Sequence, residues 1–95
     1  MFTTISIHQV IPGQKETALD IFKTNTILGR KQQGFISRDI FIAVEDPMKI
    51  TTVTSWETKS QLEAWAKNPE RPKRDKDAAP LFSDMEIVVY EDVKV

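Results

Sequence analysis

Ninety-five residues are enough for one domain, 1–95, and too few for two. A composition 40% hydrophobic and 28% charged is that of a globular chain and excludes disorder, while a net charge of −1 gives no general attraction to nucleic acid or to an anionic membrane. The lack of cysteine excludes a disulfide framework, a thiol nucleophile and thiolate metal sites together, and it fits a reducing compartment. The amino terminus shows no basic stretch followed by an apolar run. The apolar runs fall far short of the ~20 residues that span a bilayer. A cytoplasmic protein without a membrane partner is the expectation.

From Phe2 to Ile11 the residues alternate, with Ile5, Ile7 and Ile11 on one side and Phe2, Thr4, Ser6, His8 and Val10 on the other; with its β-branched content this predicts a strand. Pro12 and Gly13 end it. Ala18, Ile21, Phe22, Asn25 and Leu28 then fall at helical spacing, with Lys15, Glu16, Asp20 and Lys23 facing away. That helix stops by Gly34, a residue suited to a left-handed terminus. Phe35–Val44 and Met48–Trp56 read as two strands joined by the turn Glu45-Asp46-Pro47, hence a hairpin. In the first of these, Phe35 and Phe41 oppose Ile36, Ile40 and Ile42.

A second helix begins near Ser60, where Thr58 with Gln61, or Ser60 with Glu63, offers a capping box. Leu62, Trp65 and Ala66 make its apolar face, and Pro69 limits it. Asn68–Asp77 is a charged loop, Ala78–Phe82 can add a helical turn, and Met85–Val95 is the last strand. The order β-α-β-β-α-β predicts an α+β fold, a ferredoxin-like antiparallel sheet with both helices on one face. In the last strand Ile87 and Val89 oppose Val88 and Tyr90, so the face away from the helices is apolar as well. A sheet wetted on one side would be polar there. A second copy of the chain is therefore expected to cover it, giving a homodimer.

Taken together, Pro12-Gly13, Gly34, Glu45-Asp46-Pro47, Ser55-Trp56-Glu57, Leu62 and Trp65 cover nearly the whole chain. In this order they resemble the antibiotic-biosynthesis monooxygenase domain of the dimeric α+β barrel superfamily. The resemblance implies a homodimer with a pocket between sheet and helices in each subunit. It further implies oxygenation of a small, electron-rich aromatic molecule, phenol- or quinol-like, with no metal or flavin. The family also includes haem-degrading members and members without known activity, so a haem-degrading relative and a non-catalytic ligand-binding dimer are the alternatives.

Oxygenation without a cofactor requires a base, hydrogen bonds to the substrate anion, aromatic walls and exclusion of water. His8 is the only histidine, and an ordinary pKa near 6.5 suits a base; the commoner role of such a strand residue is packing. Trp65 stands where haem-degrading members hold a tryptophan against the ligand, nine residues after Trp56, and it is equally placed to be a core aromatic. The candidate site is thus His8 and Trp65 for catalysis, with Ser6, Asn25 and Trp65 for substrate binding. Asn25 qualifies as a polar residue on an apolar stripe. Lys67, Arg71, Lys73, Arg74 and Lys76 alternate with Glu70, Asp75 and Asp77, a sign too mixed for nucleic acid but open to a lid with an anion-binding side. Glycines are too scattered for a phosphate loop, and one histidine without cysteine makes no ordinary zinc site. By the resemblance, Ser6 replaces an asparagine of the haem degraders and Asp75 replaces their axial histidine, which disfavours haem as a cofactor.

Overall fold

The computed structural model describes residues 1–71 and 81–95. Its elements are β1 (Phe2–Val10), α1 (Lys15–Gly29), β2 (Phe35–Ile42), β3 (Lys49–Trp56), α2 (Lys59–Ala66) and β4 (Phe82–Glu91). The sheet runs β2-β3-β1-β4, antiparallel throughout, which is the ferredoxin-like arrangement read from the sequence. The last strand starts earlier than Met85, because Phe82 pairs with Val10 and sets its ring against His8 and Phe22. The helical turn expected over 78–82 therefore does not include Phe82, and its residues 78–80 lie outside the described residues, as do Lys73, Arg74, Asp75, Lys76 and Asp77 of the charged loop.

Turn chemistry accounts for the joints. Gly13 and Gly34 both have positive φ, +88° and +86°, which a side chain resists. The Thr58–Gln61 capping box forms: the Gln61 amide donates to Thr58 Oγ1 (3.3 Å) and the Thr58 amide donates to Gln61 Oε1 (3.1 Å). These bonds satisfy two donors that a helix start leaves free. In the hairpin, Asp46 Oδ1 accepts from the Met48 amide at 3.1 Å, which closes the turn.

Both helices pack on one face. Register assigns Ser6, His8, Thr52, Thr54 and Trp56 to that face, and Ile5, Ile7, Val53 and Val88 to the other. In β2 the alternation is broken. The register shifts between Phe35 and Ser37, so Phe35 does not share a face with Phe41 as simple alternation demands. It turns to the helix side and meets Trp56 edge-on at 5.7 Å, while Phe41 stays 54% exposed on the open face.

The core is divided. One cluster joins Val10, Ala18, Phe22 and Ile50 at one end of the sheet; the other joins Trp56, Leu62 and Trp65 at the opposite end. Between them the two central strands turn Thr4, Ser6, Thr52 and Thr54 toward the helices. They are cross-strand partners, Thr4 with Thr54 and Ser6 with Thr52. Apolar side chains would normally occupy such positions.

Candidate functional site

Above that hydroxyl band lies a cavity of about 170 Å³. Its base is Thr4, Ser6, Thr52 and Thr54; Arg38 and Arg71 supply charge, and Leu62, Trp65, Ile87 and Val89 supply apolar wall. Among the described residues no carboxylate lines it. A larger groove of about 410 Å³ runs along α1 and β2 and shares Arg38, but it is open to solvent and no aromatic side chain is among its described lining residues. The smaller cavity has the combination a ligand site needs: apolar walls with a few convergent polar groups.

Arg38 enters from β2 as the cross-strand partner of Thr54. Its Nη1 donates to Thr54 Oγ1 at 2.8 Å and its Nε to Thr26 Oγ1 at 3.1 Å; Thr26 in turn donates to the Phe22 carbonyl at 2.8 Å. Burial, reinforced by the charge of Arg71, pushes the guanidinium down to about 10, so it remains a cation at neutral pH. Arg71, just beyond α2, donates from Nε to Asn25 Oδ1 and from Nη1 to the Trp65 carbonyl, both at 3.4 Å. Its Cζ lies 4.4 Å from the Trp65 ring centroid, a cation–π contact. Burial lowers its pKa too. Every hydrogen-bond partner of the two cations among the described residues is neutral.

The residues singled out in the sequence divide between site and support. Ser6 and Trp65 line the cavity. Trp65 is 6% exposed, with Arg71 over its ring and Trp56 5.7 Å away, so the indole presents a guanidinium to the chamber. Asn25 is buried and turned to Arg71 rather than among the lining residues. His8 is not among the lining residues either: its ring stands 4.8 Å from that of Phe22 and 4.7 Å from that of Phe82. Its Nδ1 donates to the Ile50 carbonyl at 3.2 Å. Burial, opposed by that bond and assisted by Arg38, holds its pKa below the usual value. Arg38, Thr52 and Thr54 were not anticipated. Their signal was present in the run Thr51-Thr52-Val53-Thr54, whose even members share the face of Trp56, and in an arginine at the centre of a strand with apolar ends.

Across 1–72 the sequence matches the family profile of the antibiotic biosynthesis monooxygenases, and the chain belongs to that family. The fold recurs in solved structures at low identity. A Nitrosomonas europaea protein of the same family description has a TM-score of 0.86 at 17% identity, over 99% of this chain and 100% of the other. One from Deinococcus radiodurans reaches 0.82 at 10% identity, over 100% and 95%. A mutant of MhuD, with two manganese protoporphyrin IX bound per active site, reaches 0.78 at 20% identity, over 100% and 97%. No curated protein sequence gives a significant match. Among the described residues no helix is long and apolar enough to cross a membrane.

Proposed function

We propose that the chain is a monooxygenase that needs no resident cofactor and acts on a small phenol- or quinol-like aromatic, working as a homodimer. The observation that carries this reading is the cationic, hydroxyl-lined cavity around Arg38. Two guanidiniums near a bound phenol favour its ionised form, which is the electron-rich species that can reduce O₂ directly. In an anthrone-like substrate the ring CH₂ becomes C=O. One oxygen atom of O₂ enters the ring and the other leaves as water with both hydrogens of that carbon, so the substrate supplies all the electrons. Arg38 and the Thr54 hydroxyl hold the anion; the buried Leu62 and Trp65 keep water from it on the helix side. His8, packed between two phenyl rings, serves the fold in this scheme, and Trp65 holds Arg71 in place by its cation–π contact.

The dimer reading rests on the open face of the sheet, where Phe41 and Tyr90 are about half exposed beside Ile5, Val53 and Val88. The haem-degrading alternative, suggested by the MhuD likeness, has weaker support. Hydroxyls and guanidiniums include no axial ligand of the usual kind, and the single histidine is engaged with Phe22, Phe82 and Ile50.

Oxygen consumption with dihydroxynaphthalene and anthrone substrates in chelator-treated buffer tests the proposal. Turnover is expected, with kcat reduced roughly 10²–10³-fold in Arg38→Met, as when one anion-stabilising donor is removed. Absence of turnover across the panel, or a fully active Arg38→Met, refutes it.

A further inference from the structure

Arg71 and Arg38 form a charge arrangement that folding does not require. Two cations are held at one half-buried site, where the charge of Arg71 opposes rather than supports the charged state of Arg38. Among the described residues they are satisfied only by a threonine pair, an asparagine and one backbone carbonyl. Removing a charge from water without an opposite charge is costly, and the described lining of the cavity offers no carboxylate to offset it. Arg71 is the less committed of the two. Its hydrogen bonds are long, 3.4 Å each, against 2.8 and 3.1 Å for Arg38, so it can turn to a better acceptor at little loss. A guanidinium has five N–H donors in a planar fork matched to a carboxylate, and among the described residues Arg71 spends two of them. The Trp65 ring, with its centroid 4.4 Å from Cζ, holds that fork beside the apolar wall.

We infer that the substrate is an aromatic carboxylate, whose acid group is received by Arg71 while its ring lies along the apolar wall and its hydroxyl meets Arg38. This rests on the oxygenase reading above, and adds to it a second anionic group on the substrate and a separate residue that selects it. Arg71 is here a specificity residue: it grips the part of the molecule that does not react.

The test compares two probes that differ only in the acid group, 1,4-dihydroxy-2-naphthoate and 1,4-dihydroxynaphthalene. Binding is titrated without oxygen by tryptophan fluorescence, at low and high salt. The acid should bind roughly 10–100-fold more tightly, the scale of hydrogen bonds to a charged group, and the margin should shrink with salt. Arg71→Gln should bring the two probes to parity. Arg71→Lys, which keeps the charge without the fork, should retain a reduced and salt-sensitive preference. Equal binding of the two probes by the wild type overturns the inference, as does a preference undiminished in Arg71→Gln. Oxygen uptake separates the two claims. Turnover of the diol without any preference for the acid leaves the oxygenase reading standing and this one refuted. Tight, Arg71-dependent binding of the acid without turnover of either probe supports this inference and refutes the oxygenase reading.

Discussion

Replacing Arg38 by methionine should make the protein more stable while it removes the site's chemistry. Burial and Arg71 lower the Arg38 pKa from the usual arginine value to about 10. At 1.36 kcal/mol for each tenfold change, that is roughly 3 kcal/mol against the charged form. Part of the side chain still meets solvent, which screens the effect to ~1–2 kcal/mol. Methionine fills the same space without that cost. Against the gain stands the loss of two donors, but Thr26 keeps its bond to the Phe22 carbonyl and Thr54 faces a cavity where water can replace the guanidinium. A net stabilisation of ~1 kcal/mol is expected, equivalent to about 4–8 °C in Tm for a domain of this size. Far-UV circular dichroism melts of wild type and variant measure it, at matched protein concentration so that association does not enter the comparison. A lower Tm in Arg38→Met would mean that its hydrogen bonds outweigh its desolvation. The cation would then be structural, and the case for reading unpaired guanidiniums as functional would collapse.

Three further outcomes follow from other parts of the molecule. Because burial holds His8 below 6.5, the unfolded chain takes up its proton first as pH falls; His8 thus contributes full stability above 6.5 and loses it as pH descends toward the folded-state value. Urea midpoints at pH 7.5 and 5.5 should show that decline, and His8→Leu should flatten it; an unchanged slope in the variant assigns the effect elsewhere. Gly34→Ala should cost roughly 1–3 kcal/mol in urea unfolding, because φ is +86° and a Cβ there runs into the Gln61 side chain of the α2 cap. Light scattering should give about twice the 10.9 kDa chain mass, and Phe41→Glu on the open face should shift the protein toward monomer; a monomeric wild type excludes the dimer.

The fold was legible because its signals are local and repeated. Alternation in β1, the turn at Glu45-Asp46-Pro47 and the Thr58–Gln61 cap each depend on neighbours in sequence, and each appears where expected. The bulge at Ile36 was not legible: an extra residue leaves no mark on composition, yet it reverses the facing of Phe35. The site was legible in part. Ser6 and Trp65 were identified from position on an element, and both line the cavity. Arg38 was missed because its role depends on register, which sets it opposite Thr54, and on the approach of Arg71 from a segment distant in sequence. Asn25 is polar on an apolar stripe for a reason invisible in one dimension: its partner is Arg71, 46 residues further on.

The division of the core also bears on how such a protein changes over time. Folding draws its apolar burial from two separate aromatic clusters, one around Phe22 and the other around Trp56. The band of Thr4, Ser6, Thr52 and Thr54 between them supplies little of that burial. Substitutions within the band can therefore alter what the cavity recognises while leaving the scaffold's main source of stability intact. Selection acting on recognition and selection acting on folding then fall on different residues. Such a scaffold can drift to the 10–20% identities seen among its structural relatives, and accept new ligands along the way, without first having to be made more stable.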